Sequence, residues 1–181
     1  MVDDSRLKKH SLGFYEVVEK PTQEELNAYY KSEYYQEAIG SYEHNYDQDE
    51  LKYINLNIKQ RAYIVQHLMG KTEGTLLDVG CGEGFTLKYY ADLGWKVWGI
   101  DFSKAGVIKQ NPDMLSHLEV GDIYEKLNDY QNQKRLYDVV YLTNVLEHVL
   151  NPIELLNNLK SIIKREGALV VTVPNDGSDL Q

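Results

Sequence analysis

The stretch from Leu76 to Phe85 reads Leu-Leu-Asp-Val-Gly-Cys-Gly-Glu-Gly-Phe, and it decides the fold of this chain. An apolar strand that contains an acid runs into Gly80, Gly82 and Gly84, and an amphipathic stretch follows at once. Glycine has no Cβ and tolerates positive φ, so such a turn lets a ligand lie against bare backbone. The following helix would direct free N–H groups at that ligand, which favours a carboxylate or a phosphate.

A second apolar run, Trp95 to Ile100, ends in Asp101, whose carboxylate is placed to accept hydrogen bonds from two ribose hydroxyls. The dinucleotide fingerprint needs its third glycine where Phe85 stands, and the Gly-Lys-Ser/Thr of a P-loop does not occur. Asp78 precedes the loop, where its charge would oppose a pyrophosphate but suit a cationic amine. A ligand with a ribose, an amino group and a carboxylate fits better, and S-adenosylmethionine is such a ligand.

Four motifs in register carry a resemblance to a known family: Leu76–Phe85, Gly99–Phe102, Val120–Ile123 and Tyr137–Val149. Together they resemble the class I S-adenosylmethionine-dependent methyltransferases. The group most similar in these motifs contains the ubiquinone-biosynthesis O-methyltransferases and the type 11 and type 12 methyltransferases. The resemblance implies methyl transfer from S-adenosylmethionine to a small-molecule acceptor, whose identity and whose O, N or C nucleophile the sequence leaves open.

The resemblance also implies roles for residues at the predicted strand ends. Gly80 and Gly82 would back the methionine portion of the cofactor, and Asp78 would help to hold its amino group. Asp101 would bind the ribose. The other cofactor-binding positions that it implies are Gly84, Phe102 against the adenine ring, Asp122 and Ile123 at the adenine edge, and Thr143 and Asn144 at the methionine end. Cys81 is a further cofactor-binding position by its place within the loop, and its thiol is expected to pack.

Glu147 and His148 follow the fourth predicted strand, where cofactor and acceptor would meet. A histidine of near-neutral pKa is a suitable general base, so His148 is the candidate catalytic residue. In some relatives the Glu-His pair is associated with a divalent metal or with the acceptor hydroxyl, and in others it is architectural. Because partner carboxylates cannot be identified from the pattern, we predict no metal site.

Composition narrows the remaining choices. The formal net charge is −9, which argues against a nucleic-acid partner because phosphate attraction supplies most non-specific affinity. Cys81 is the only cysteine, so no disulfide framework is expected and a reducing, cytoplasmic location is predicted. The chain has no apolar run as long as a membrane span, and its first residues lack the apolar core of a signal peptide.

The organisation predicted is an aromatic, mostly helical segment over residues 1–73 and an α/β core over residues 74–181. Thr22 and Glu25 form a capping-box pattern that opens a helix running to about Gly40, after a short strand or extended arm between Gly13 and Lys20. A second helix starts near Asp49 and ends at Gly70. Its apolar positions recur at helical spacing: Leu51, Ile54, Ile58, Ala62, Val65 and Met69. The first segment would form a lid over the cofactor, lined by tyrosines that include Tyr29, Tyr30, Tyr34, Tyr35, Tyr42 and Tyr46, with His44 among them.

The predicted fold is a Rossmann-like, doubly wound, mostly parallel sheet of about five strands, with crossover helices. The strands are expected at Leu76–Val79, Val97–Ile100, Leu118–Val120, Val139–Leu142 and Ala168–Val173, and a helix capped by Asn151 should end before Gly167. The family sheet has seven strands, and the chain ends shortly after Pro174. We therefore expect the C-terminal strands six and seven to be absent, in a truncated or a naturally short chain. An exposed fifth strand would then favour a homodimer through the sheet edge.

Two other hypotheses remain open from the sequence. The chain could be a non-catalytic module that binds S-adenosylmethionine without transferring its methyl group. It could also be an NAD or nucleotide-sugar enzyme with a degenerate glycine loop, although Phe85 disfavours that interpretation.

Overall fold

The computed structural model describes residues 5–22, 24–26 and 45–174. Within these ranges the strands are β1 Leu7–Lys9, β2 Tyr15–Val17, β3 Thr75–Val79, β4 Lys96–Asp101, β5 Leu118–Val120, β6 Tyr137–Thr143 and β7 Ile163–Thr172. The helices are α1 Gln48–Met69, α2 Phe85–Asp92, α3 Ala105–Gln110, α4 Ile123–Asn132 and α5 Pro152–Ser161. Two 3-10 helices are η1 Pro112–His117 and η2 Leu146–His148. Of the helices in these ranges, none combines the length and apolar composition needed to cross a membrane.

The N-terminal residues form an antiparallel hairpin of β1 and β2, in which Leu7 pairs with Val17. The capping box predicted after it is confirmed. The Thr22 N–H donates to Glu25 Oε2 over 2.7 Å, and the Glu25 N–H donates to Thr22 Oγ1 over 3.2 Å. The rest of the helix expected there lies outside the described residues, as do Tyr29, Tyr30, Tyr34, Tyr35, Tyr42 and His44.

Helix α1 begins and ends as the sequence predicts. Asp47 caps its N-terminus in a capping box with Glu50, and Gly70 ends it in the left-handed conformation, with φ of 62°. Ile58, Ala62 and Val65 bury one face of the helix against the sheet. Arg61 follows Ile58 at the helical spacing of three, so its side chain lies on the same face of α1.

The five-stranded sheet is parallel and has the order β5-β4-β3-β6-β7. Strand β3 lies in the middle, and the chain runs outward from it first through β4 and β5, then through β6 and β7. This order places the topological switch between β3 and β6, and the loops after β3, β4 and β6 meet at the carboxyl edge. Ligands of open α/β sheets bind at such a point.

The expectation that strands six and seven are absent is wrong. Counted along the chain, the sixth and seventh strands are β6 and β7, and both lie in the C-terminal part of the described residues. The count of about five strands began at Thr75. Of the two earlier strands, β2 lies within the short strand or extended arm predicted between Gly13 and Lys20. Strand β1 was not predicted, because a three-residue strand is too short for its alternation to stand out. Strand β7 pairs with β6, and the predicted homodimer stays a prediction.

Strand β7 starts earlier than the sequence indicates, at Ile163 rather than near Ala168. Gly167 therefore lies inside the strand, and not directly after the helix. The pairing with β6 is irregular here, because Tyr137 pairs with Ile163 but Val139 pairs with Ala168. A Cβ on Gly167 would lie 2.7 Å from the Asp138 carbonyl oxygen, so this irregular crossing requires a glycine.

Side chains of the sheet alternate between two cores, one on each face. The first core packs under α1 and α2 and includes Leu76, Tyr90, Val139 and Tyr141. The second packs under α4 and α5 and includes Leu77, Val79, Leu127, Tyr130, Val140, Leu155 and Leu159. Because both faces are covered, β3 and β6 are almost entirely buried, as expected for parallel strands.

At the amino edge of the sheet, Asp138 is the centre of a buried polar network. Its Oδ1 lies 2.9 Å from Lys71 Nζ, and its Oδ2 lies 2.7 Å from Lys164 Nζ. The Thr75 N–H and hydroxyl also donate to Oδ2. Burial alone would raise the pKa of Asp138, but the hydrogen bonds from Lys164, Lys71 and Thr75 outweigh burial and hold the pKa far below its ordinary value.

Candidate functional site

The glycine loop joins β3 to α2 at the carboxyl edge of the sheet. Gly80, Gly82 and Gly84 all have positive φ, at 72°, 55° and 76°. A Cβ on Gly80 would lie 2.3 Å from Cγ2 of Val145, so the segment after β6 presses directly on the loop. The loop therefore has the bare, left-handed backbone that its sequence predicts, and the N-terminus of α2 opens onto it.

The structure brings Asp101 and the glycine loop together. Asp101 ends β4 and is 2% exposed. Its Oδ2 accepts a hydrogen bond of 2.8 Å from the Gly82 N–H, and its Oδ1 accepts one of 3.0 Å from the Ser103 N–H. Burial raises the pKa of Asp101 to about 6, although these backbone hydrogen bonds oppose the rise. Phe102 follows it directly and is half-buried.

Asp78 lies in the same buried region, one strand away. Its side chain is 3% exposed, and it precedes the loop on β3. Burial and, second to it, the charge of Asp101 raise the pKa of Asp78 to about 7, while Arg61 and a hydrogen bond with Thr86 lower it. Two buried carboxyl groups that repel each other favour a cationic group beside them.

Arg61 is a candidate site residue that the sequence did not suggest. It is half-buried and extends from α1 to the carboxyl edge, where its Nη1 lies 3.5 Å from the Thr172 hydroxyl at the end of β7. Its Nε is buried and has no hydrogen-bond partner among the described residues. A cation on the apolar face of α1, between Ile58 and Val65, was the signal that could have identified it. Buried donors of this kind are normally satisfied, so an anionic ligand group would complete the arrangement.

Thr143 and Asn144 end β6 at the same edge. The Thr143 hydroxyl is buried and lacks a hydrogen-bond partner within the described ranges. Asn144 has φ of 53°, a left-handed conformation uncommon for a residue with a side chain, and its N–H donates to the Thr172 carbonyl. Strain at a strand end beside a glycine loop is typical of functional sites.

Cys81 packs as the sequence predicts. It is buried, and a Cβ on Gly99 would lie 2.8 Å from its Sγ. Burial raises the pKa of the Cys81 thiol well above its ordinary value, so the thiol stays protonated. A protonated, buried thiol is a poor nucleophile, and its visible role is to fill the space between β4 and the loop.

Asp122 and Ile123 lie at the start of α4, next to the end of β5. Asp122 caps the helix, because its Oδ1 accepts hydrogen bonds from the N–H groups of Tyr124 and Glu125. Both hydrogen bonds go to the same carboxylate oxygen. Ile123 is the first residue of the helix and packs against the second core. This pair therefore has a visible architectural role beside the predicted contact with adenine.

His148 and Glu147 belong to η2, just beyond β6. The His148 side chain is 60% exposed and the Glu147 side chain 24%, and His148 Nε2 lies 3.8 Å from Glu147 Oε1. The histidine is thus placed at the rim, while the acids and Arg61 lie deeper. In the parts of the chain that the structure describes, no group of three or more His, Cys, Asp or Glu side chains is placed to hold a metal ion.

Known proteins resemble this chain in sequence. The family described as "Methyltransferase domain" matches residues 49–181. The chain is 29% identical over 126 residues to the ubiquinone biosynthesis O-methyltransferase of Glaesserella parasuis serovar 5 (strain SH0165), covering 66% of this chain and 53% of that protein. It is 29% identical over 122 residues to the tRNA U34 carboxymethyltransferase of Idiomarina loihiensis, covering 64% of this chain and 38% of that protein. The chain spans about half the length of the curated relatives that it matches first.

Solved structures share the fold. A SAM dependent methyltransferase from Archaeoglobus fulgidus has a TM-score of 0.56 at 22% identity, covering 68% of this chain and 54% of that one. Coclaurine N-methyltransferase bound to N-methylheliamine and SAH has a TM-score of 0.59 at 16% identity, covering 84% of this chain and 54% of that one. The chain belongs to the methyltransferase domain family, and the resemblance to the class I S-adenosylmethionine-dependent enzymes drawn from its motifs is confirmed.

Proposed function

We propose that this chain binds S-adenosylmethionine at the carboxyl edge of its sheet and takes part in transfer of the methyl group to a small-molecule acceptor. The observation that carries the proposal is the hydrogen bond between the Asp101 carboxylate and the Gly82 N–H. It places a buried acid suited to a ribose diol against a loop whose backbone a ligand can approach. Family membership supports the same assignment.

The donor set fits the two charged ends of the amino acid portion. Asp78 would accept from the amino group, since a buried carboxylate of raised pKa gains most from a cationic partner. Arg61 would bind the carboxylate, because its Nε is buried without a partner among the described residues. Asp101 would accept from the ribose hydroxyls. Gly80, Gly82 and Gly84 would leave room for the methionine portion, and Phe102, Asp122, Ile123, Thr143 and Asn144 would line the remainder.

The sulfonium of S-adenosylmethionine supplies the activated methyl group, so the protein has to supply orientation and exclusion of water. In an in-line displacement, the lone pair of the acceptor would form a bond to the methyl carbon while the carbon–sulfur bond breaks. The electron pair of the broken bond would stay on sulfur. A hydroxyl acceptor also loses a proton. His148 at the rim is the candidate to receive it, and residues 1–73 are the proposed lid.

The acceptor is proposed to be a small molecule. The net charge of −9 weighs against nucleic acid, because polyanions are repelled at ordinary salt. One relative of similar identity is named for a tRNA and others are named for ubiquinone biosynthesis. The names alone therefore do not decide between a nucleic-acid acceptor and a small-molecule acceptor. A cytoplasmic location is part of the same proposal, resting on the single cysteine of the sequence, which cannot form a disulfide framework.

Titration calorimetry with S-adenosylhomocysteine tests the cofactor site. Asp101→Ala removes the ribose acceptor, and we expect affinity to fall by about a hundredfold, the effect of losing charge-assisted hydrogen bonds. Asp129→Ala, an exposed acid on α4, is the matched control and should bind as the wild type does. Equal affinity in the two variants would refute the ribose assignment.

The alternative is a binding module without catalysis, favoured by the exposure of the only candidate base that the sequence identified. Turnover with phenols and small acids decides between the two. If His148 is the base, His148→Ala should lower kcat by about a hundredfold and leave affinity for S-adenosylhomocysteine unchanged. Full turnover in the variant would assign His148 to the architecture of η2. No turnover by the wild type with any of these acceptors would favour the module.

A further inference from the structure

Tyr46 reaches the glycine loop from the segment that precedes α1. Its hydroxyl donates a hydrogen bond of 2.7 Å to Oε2 of Glu83, the residue between Gly82 and Gly84. Its ring also packs edge-on against Phe85, with centroids 5.7 Å apart and planes at 78°. One side chain therefore contacts both the loop and the first residue of α2.

The position of Tyr46 is fixed by the helix that follows it. Asp47 is the N-cap of α1, the Glu50 N–H donates to Asp47 Oδ1 over 2.9 Å, and the Asp47 N–H donates to Glu50 Oε2 over 2.8 Å. Helix α1 is in turn anchored in the first core by Ala62 and Val65. The Tyr46 hydroxyl is thus held from a rigid element and not from a free loop.

Glu83 is braced a second time, through its main chain. Its carbonyl accepts a hydrogen bond of 2.8 Å from Nδ2 of Asn111, which is 7% exposed at the junction of α3 and η1. The side chain and the carbonyl of Glu83 are therefore held by two different segments of the chain. Because Gly82 and Gly84 have no side chains to restrict them, these two contacts of Glu83 add to the hydrogen bond between Gly82 and Asp101 in limiting the conformations of the loop.

We propose that Tyr46 is a positioning residue, which fastens the start of α1 to the glycine loop through Glu83 and so holds the loop ready for the methionine end of the cofactor. The inference rests on the function proposed above. Ordering the loop before binding removes an entropic cost that the ligand would otherwise meet. Burial, and then the hydrogen bond to Glu83, raise the pKa of Tyr46 to about 12, so its hydroxyl remains a donor at neutral pH.

Four variants separate the hydrogen bond from general packing. Tyr46→Phe keeps the ring against Phe85 and removes only the donor, and Glu83→Leu removes the acceptor. Glu83→Gln keeps an acceptor oxygen and is the conservative rescue. Tyr53→Phe, an exposed tyrosine on α1, is the matched control.

By calorimetry with S-adenosylhomocysteine, we expect Tyr46→Phe and Glu83→Leu each to bind about tenfold more weakly, the effect of one hydrogen bond to a charged group. Glu83→Gln and Tyr53→Phe should bind within about twofold of the wild type. The double variant Tyr46→Phe/Glu83→Leu should be no weaker than either single variant, because both remove the same bond. Wild-type affinity in Tyr46→Phe, or fully additive losses, would overturn the proposal.

Hydrogen exchange of the amides from Gly82 to Phe85, measured without any ligand, tests the brace independently of the cofactor. Exchange should be faster in Tyr46→Phe than in Tyr53→Phe, with the same melting temperature. Equal exchange rates in Tyr46→Phe and Tyr53→Phe would refute the proposal that Tyr46 holds the loop. If the wild type fails to bind S-adenosylhomocysteine but the exchange rates differ, the cofactor assignment is wrong and Tyr46 is still shown to order the loop.

Discussion

The two edges of the parallel sheet both bury carboxylates, but they treat them in opposite ways. At the amino edge, Asp138 accepts hydrogen bonds from Lys71, Lys164 and Thr75, and its pKa is held below the ordinary value. At the carboxyl edge, Asp78 and Asp101 repel each other, and burial raises their pKa values to about 7 and about 6. The amino edge pairs its acid with two lysines, whereas the acids of the carboxyl edge keep raised pKa values despite the hydrogen bonds that they accept.

The difference separates stability from function within one sheet. A buried acid surrounded by donors stabilises the folded state, whereas buried acids that repel each other destabilise it and persist where function requires them. Among the described residues, the Arg61 Nε and the Thr143 hydroxyl are buried without a hydrogen-bond partner near the carboxyl edge, and the hydroxyls of Tyr130 and Tyr137 are buried without one away from that edge. The proposed binding site therefore rests on the raised pKa values of Asp78 and Asp101, together with the two unpaired groups near them.

The largest expected effect on stability comes from Asp138→Ala. The substitution removes the acceptor of the Thr75 N–H and the carboxylate that pairs with Lys71 and Lys164. We therefore expect the free energy of unfolding to fall by about 2 kcal/mol at pH 7. Chemical denaturation measures this. Affinity for S-adenosylhomocysteine should not change, because the network lies at the opposite edge. A loss of affinity with unchanged stability would reverse the assignment of the two edges.

A smaller effect of opposite sign is expected for Asp78→Asn. The substitution removes a charge that burial and Asp101 disfavour, so the ligand-free protein should gain about 1 kcal/mol of stability at pH 8. Little gain is expected at pH 5, where the native carboxyl is already protonated. Melting temperatures at the two pH values measure the difference. The same variant should bind S-adenosylhomocysteine about tenfold more weakly, since the amino group loses its acceptor. Tighter binding would contradict the role of Asp78.

The pH dependence of the wild type gives the finest test. The folded pKa of Asp78 is about 7 against an ordinary value of 3.8, so the folded state binds more protons between these values. Asp78 therefore lowers stability as pH rises from about 4 to about 7, and its effect is constant above that range. Cofactor affinity should change in the opposite direction and rise from pH 6 to pH 8, because an ionised Asp78 pairs with the ammonium group. Affinity that is flat over this range in the wild type, or equally steep in Asp78→Asn, would exclude the linkage.

Much of the fold was predictable because its signals are local. The acid, the three glycines and the apolar run around Leu76–Phe85 indicated a strand, a loop and a helix, and Asp47 and Asn151 mark the helix starts that their neighbours suggested. The start of β7 was predicted wrongly, because Gly167 resembled a helix stop. It lies within β7, where the pairing with β6 is irregular. The count of strands also failed, because β1 is a three-residue strand whose conformation depends on its pairing with β2.

The site was predictable only in part. Asp78 and Asp101 were found because they end apolar strands, whereas Arg61 was missed because it lies far from the glycine loop in the sequence and reaches the site only through the packing of α1. Asp122 and Ile123 were predicted as adenine contacts, and the structure adds a capping role that takes one carboxylate oxygen. His148 was predicted from its position after a strand, but its exposure of 60% is decided by the fold and was not predictable from that position.

The sequence by itself determined the chemistry that the chain can offer: a bare glycine loop, two acids at strand ends and an alternation of strand and helix. Only the tertiary structure decided which groups meet. Parallel pairing of β3 with β4 brings Gly82 onto Asp101, the packing of α1 brings Arg61 to Thr172, and the cap at Asp47 sets Tyr46 on Glu83. Local patterns arise from backbone geometry over a few residues, but contacts between distant segments depend on how whole helices and strands pack.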